Sequence, residues 1–281
     1  MKAFCSSLSV IGLLAALPAA AAPKHILISD SLVANADQWD VKRGGHWMGI
    51  NKWRFGDYAV VASKSGATRG GTRTNFFKTK TESHSDHKFS FVLSNKTSDS
   101  AFVSAAHEAI AQSQPGLKVG NGVTIGGDDR VVETERFTAS IAINRDTTET
   151  WDLSIGSTDV STRHGDDPAA QSAHTATLSH GDRRIVLTPV FSKKLTERPS
   201  FTSALSLQFA PPAMGYEFIE DGQSLCAVEY FSSGVSGSFK NTIWMHRSAD
   251  ARLQLVLAAA MTAVLELECA ALEGPAEPAQ P

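Results

Sequence analysis

Leu253-Gln-Leu-Val-Leu-Ala-Ala-Ala-Met-Thr-Ala-Val-Leu265 spells a helix with no wet side. Seven large apolar residues (Leu253, Leu255, Val256, Leu257, Met261, Val264 and Leu265) stand among alanines. At 100° per residue they point all the way round the axis, so no face is left for water. Such a helix must be enclosed by the rest of the chain. The uninterrupted apolar core before Glu266 is about thirteen residues long, below the roughly 18–20 needed to cross a bilayer.

Upstream of the helix the pattern is β. Tyr216-Glu-Phe-Ile-Glu220, a turn at Asp221-Gly222 and Gln223–Tyr230 read as a hairpin, because Asp-Gly supplies the positive φ angles of a type I′ turn. Phe239–His246 reads as a further strand, and Ser248 or Asp250 caps the helix. Earlier strand candidates are His25–Ser29, Trp53–Val61, Lys88–Leu93, Phe137–Ile143, Trp151–Ile155, Arg184–Leu187 and Ala204–Phe209. Several alternate apolar with polar, as a sheet with one dry face requires. Long helices do not separate them, which favours a barrel or sandwich over repeated βαβ units. The expected fold is mainly β: an antiparallel barrel or sandwich that encloses, or packs on, the apolar C-terminal helix. One short additional helix is expected over Ala101–Gln112, started by Asp99 or Ser100 and stopped by Pro115-Gly116.

The N-terminus has the layout of an export signal: Lys2, an apolar stretch Ala3–Leu17, and small residues at Pro18–Ala22. Cleavage after Ala21 divides the chain into a signal peptide (1–21), one large β-rich domain (22–272) and a Pro/Ala tail (273–281). The expected location is periplasmic or secreted, with no integral membrane span after cleavage. Strand, polar turn, aspartate and helix recur at Lys88–Ile110 and Thr242–Val264, which divides the domain into weakly similar halves, 24–115 and 116–272.

Removing residues 1–21 takes away one lysine and no acid, so the net charge goes from -3 to -4. That balance argues against nucleic acid as a partner. Two cysteines remain in the cleaved chain, Cys226 and Cys269, either a bridge from hairpin to helix end or two buried thiols.

Familiar catalytic motifs fail on single residues. His107-Glu108-Ala-Ile-Ala111 has alanine where a zinc helix needs its second histidine, and Gly120-Asn-Gly122 lacks the third glycine of a dinucleotide loop. No catalytic residue and no cofactor is therefore assigned. A metal candidate is His84-Ser-Asp86-His87, where His84 and Asp86 share a strand face; the alternative is a solvated loop. An anion-binding candidate is Val41–Thr81. It holds nine basic residues (Lys42, Arg43, Lys52, Arg54, Lys64, Arg69, Arg73, Lys78 and Lys80) against one acid, Asp57. Trp47, Trp53, Phe55, Tyr58, Phe76 and Phe77 are interleaved with them. Arginine forks beside aromatic faces suit phosphates and sugar acids. Lys52, Arg54, Arg69, Arg73 and Lys78 are the residues assigned to it; the alternative is a solvated strand face with the aromatics turned into the core.

Tyr216-Glu-Phe-Ile-Glu-Asp-Gly222, Ala227-Val-Glu229, Ile243-Trp-Met-His246, Ala249-Asp250 and the helix Leu253–Leu265 together resemble the end of the tubby-like and LURP-one-related families. The resemblance covers roughly sixty of the 281 residues. It implies a closed barrel threaded by the final helix, and for some members binding of membrane lipids or phosphoinositides. No lipid-binding motif of those families matches here residue by residue.

The functional expectation is an exported, non-catalytic protein that binds an anionic lipid, a glycan or an envelope partner. One rival is a secreted hydrolase whose site is scattered over His84, Asp86, Asp128, Asp129, His164 and Asp166. The other is a structural component of the envelope.

Overall fold

The computed structural model describes residues 26–42, 53–66, 68–74, 81–114, 117–119, 123–125, 128–146, 148–162, 171–191, 214–233 and 239–273. The expected signal peptide, the strand at Ala204–Phe209 and residues 274–281 lie outside them.

A short helix α1 (Asp30–Asn35) leads into β1 (Ala36–Asp40), then β2 (Arg54–Phe55), β3 (Tyr58–Ser65) and β4 (Arg69–Thr74). Four long strands dominate the middle: β5 (Thr81–Ser94), β6 (Ser100–Gln114), β9 (Asp128–Ile143) and β10 (Thr150–Thr162). Between β6 and β9 sits a separate small hairpin, β7 (Leu117–Val119) with β8 (Val123–Ile125). β11 (Gln171–His180), β12 (Arg183–Val190), β13 (Gly215–Glu220), β14 (Gln223–Ser233) and β15 (Phe239–His246) precede the final helix α2 (Ala251–Glu273).

Thirteen strands form one antiparallel sheet in the order β1-β15-β14-β13-β12-β11-β10-β9-β6-β5-β3-β2, with β4 pairing β5 beside this path. The ends of the path meet. Lys42, just past β1, donates to Arg54 O at 2.9 Å, and Arg54 N donates back to Lys42 O at 3.0 Å. Trp39 packs on Phe55 and Tyr58 across the same seam. The sheet is thus curled into a barrel, not split into a sandwich.

Helix α2 runs inside it, against β6, β9 and β14. Leu255 to Leu265 are all buried, Leu257 and Met261 completely. The strands meet them with alternate residues: Phe89, Phe91 and Leu93 on β5, Val103 and Ala105 on β6, Phe137, Ala139 and Ile141 on β9, Leu153 and Ile155 on β10. The expected cap is Asp250, whose Oδ1 accepts from Arg252 N at 3.0 Å and Leu253 N at 2.9 Å. The hairpin turn also forms as read, with φ of +48° at Asp221 and +80° at Gly222.

Three expectations fail. The strand expected at His25–Ser29 does not form over its described residues: Ile26 makes a single bridge, and Leu27–Ser29 are irregular and lead into α1. Ala101–Gln112 is not a helix but the body of β6, paired along its length with β5 and β9. Asp99 does not cap; it belongs to a tight turn in which Asn95 Oδ1 accepts from Thr97 N and Asp99 N, both at 3.0 Å. The alanines are helix formers, yet Ala101, Val103 and Ala105 also fit a period of two, and pairing on both flanks overrides propensity. The echo between the two halves rested on that helix and goes with it. Trp53–Val61 is likewise not one strand but the hairpin β2–β3, turning at Gly56-Asp57. Gly56 has φ +52°, and a Cβ there would lie 2.7 Å from the Trp39 indole.

Residues 26–35 cover the outside of the barrel wall. Ile26 and Leu32 pack with Val190, Ala227 and Trp244, and Ser29 N donates to Glu217 Oε1 at 3.0 Å. Cys226 is a buried free thiol; burial, and secondarily the Glu217 carboxylate, push its pKa well up. Among the described residues no helix is long and apolar enough to cross a membrane.

Candidate functional site

The strands that present Phe89, Ala105, Ala139 and Leu153 to α2 must present the residues between them outward. On β5, β6, β9 and β10 those residues are small and hydroxylated, and the pairing lines them up. One row across the outer face reads Lys64, Ser90, Ser104, Ser140, Asp152. The next reads Lys88, Ala106, Thr138, Ser154, and the one beyond it Arg69, Asp86, Glu108, Arg136.

Long side chains at the margins and short ones in the middle leave a depression, a groove of about 690 Å³. Lys64, Lys88 and Arg136 rise from it, with Asp152 as the only acid among its described lining residues. Gly66 forms one lip. Its N–H donates to Lys88 O at 2.7 Å, and a Cβ would lie 2.7 Å from that same oxygen, so glycine is required for the crossing.

Among the described residues the groove cations make no close ion pair, although Glu108 stands opposite Arg136 in register. Arg183 forks onto Glu220, Arg247 Nε lies 2.8 Å from Asp37, Arg252 meets Glu149 and Lys96 meets Asp57, whereas Lys42, Arg54, Arg145 and Arg184 make no ion pair among the described residues. Among the described residues Lys64, Lys88 and Arg136 have no carboxylate within ion-pair distance, nor do Arg69 and Arg73. A cationic patch with hydroxyl donors and acceptors between the charges is chemically suited to hold an anion that also carries hydroxyl groups.

The residues assigned from sequence are scattered. Arg69 borders the groove and Arg73 stands four residues further along β4, on the same outer face. Arg54 sits at the barrel seam, in register with Ala59. Lys52 and Lys78 lie outside the described residues, as do Trp47, Phe76 and Phe77. Trp53, Phe55 and Tyr58 are buried in the core, so the aromatic faces read as partners for the arginines line the interior instead. Burial, and secondarily the charge of Asp57, push the Tyr58 hydroxyl up to about 12.

The metal candidate is divided between two faces. His84 and Asp86 share the outer face, with His84 Nε2 3.9 Å from Asp86 and Nδ1 3.7 Å from Glu108. His87 points the other way, buried against Phe89. Of the dispersed acids and histidines, His164 and Asp166 lie outside the described residues, as do the side chains of Asp128 and Asp129.

Lys88, Arg136 and Asp152 escaped the sequence reading. Asp152 sits between the core residues Trp151 and Leu153, and Lys88 and Arg136 each precede a buried phenylalanine, which gives their face. Only knowledge that β5, β6, β9 and β10 are neighbours would have gathered them. Comparison of the chain with family models, with characterised proteins and with solved structures gives no match.

Proposed function

We propose that this protein is exported and acts without catalysis, binding a hydroxyl-bearing anion in the outer groove. The supporting observation is the set of three cations, Lys64, Lys88 and Arg136, none of them in an ion pair among the described residues, around a floor of serine and threonine. Sugar acids and phosphorylated headgroups share the required chemistry: negative oxygens for the cations, and hydroxyls for Ser90, Ser104, Ser140 and Asp152. Export rests on Lys2, the apolar run to Leu17 and the small residues before Pro23. Kinship to the tubby-like group would favour the headgroup, and an envelope location the glycan. The hydrolase reading needs two carboxylates in one cleft, and the groove offers Asp152 alone among its described lining residues.

The test is a binding screen with acidic oligosaccharides and with vesicles containing phosphorylated anionic lipids, at low and high salt. A Lys64→Ala, Lys88→Ala, Arg136→Ala triple variant should bind at least tenfold more weakly, and salt should weaken the parent protein. Arg54→Ala, on β2 at the barrel seam, should bind as the parent does. A flat screen, or binding indifferent to the triple variant, would sink the assignment.

A further inference from the structure

The inner face of β5 and β6 holds a feature that the groove does not use. His87 and His107 are directly opposed in register. Both stand on the side that Phe89 and Ala105 turn toward the core. Opposed residues of an antiparallel pair hold their Cβ atoms about 4.5–5.5 Å apart, near enough for two imidazoles to grip one ion.

His87 is only 8% exposed; its Nδ1 lies 3.2 Å from Thr68 Oγ1, and its Nε2 is buried with no hydrogen-bond partner. A buried polar atom left alone costs free energy. In the tautomer that donates Nδ1–H to Thr68, Nε2 presents a bare lone pair. One ring nitrogen fixed by an outer hydrogen bond and the other left open is how a metal-ligating histidine is held.

We propose that His87 and His107 form a two-imidazole site for a divalent transition metal, bound most tightly as copper(II). Among the described residues no group of three His, Cys, Asp or Glu side chains is placed to hold a metal ion, so water would fill the remaining coordination positions. His84 on the outer face is no part of it.

Copper(II) titration of the purified protein, followed by electron paramagnetic resonance, tests the site. One ion per chain is expected, with superhyperfine structure from two ring nitrogens. His87→Asn and His107→Asn should each abolish that signal, and His84→Ala should preserve it. Thr68→Val, which keeps both imidazoles but frees the His87 ring, should weaken copper binding at least tenfold. A signal from fewer than two nitrogens, one that survives both asparagine variants, or one lost in His84→Ala overturns the site. If an asparagine variant fails to melt as a folded protein, Thr68→Val decides, and copper affinity unchanged there is equally fatal.

Discussion

Glu229 shows how one side chain can set the pH response of a sheet. It sits on the outer face of β14 opposite Gly215 and Thr242, 4% exposed, with Oε1 lacking a hydrogen-bond partner. Burial pushes its pKa from the ordinary 4.5 to about 7. The folded state therefore holds this proton more tightly than the unfolded chain does. Its stabilising effect is complete below pH 4.5 and is lost as pH rises through 7. Glu229→Gln should leave the melting temperature almost unchanged near pH 4.5. At pH 8 it should raise stability by on the order of 2–3 kcal/mol. An equal gain at both pH values would show that charge burial is not the cause. Residue-scale features set by local chemistry, such as the Asp221-Gly222 turn and the Asp250 cap, were legible in the sequence. The division of His84 from His87 was legible too, since neighbours on a strand face opposite ways, but only once Thr81–Ser94 is known to be one unbroken strand.

Elements were legible where one pattern had one explanation. The C-terminal helix had no alternative: a thirteen-residue apolar run with alanine spacers fits neither a strand nor a membrane span. Its burial inside the barrel makes each large side chain expensive to shorten. Leu257→Ala should destabilise the protein by about 2–5 kcal/mol in chemical denaturation, the range for a cavity in a packed core. A loss below 1 kcal/mol would mean that the interior relaxes freely around the helix. Segment 101–112 shows the opposite case. Its alanines, His107 and Glu108 satisfy helix propensity, while the alternation of Ala101, Val103 and Ala105 satisfies a strand. The deciding partners, β5 and β9, lie elsewhere in the chain. The groove was hidden for the same reason, because register between distant strands leaves no local mark.

At the scale of the whole molecule, the sheet becomes a barrel at one narrow seam. There the Lys42–Arg54 bonds and the Trp39 ring join the first described strands of the path to each other. If the closure is integral to the fold, the amides of Lys42 and Arg54 should exchange hydrogen as slowly as those of β9 and β10, through global unfolding alone. Trp39→Ala should then speed exchange at the seam by at least tenfold while leaving β9–β10 protected. Seam amides that already exchange quickly in the parent protein would mark the ring as open in solution.

A barrel takes its girth from strand number and stagger together, each strand adding about 4.8 Å. The bore therefore cannot widen by small degrees to admit a thicker rod. Ala258, Ala259, Ala260 and Ala263, all fully buried, keep the rod within that fixed gauge. The alanines between the leucines thus match the helix to its bore, and a larger side chain there would press outward on the strands packed around it.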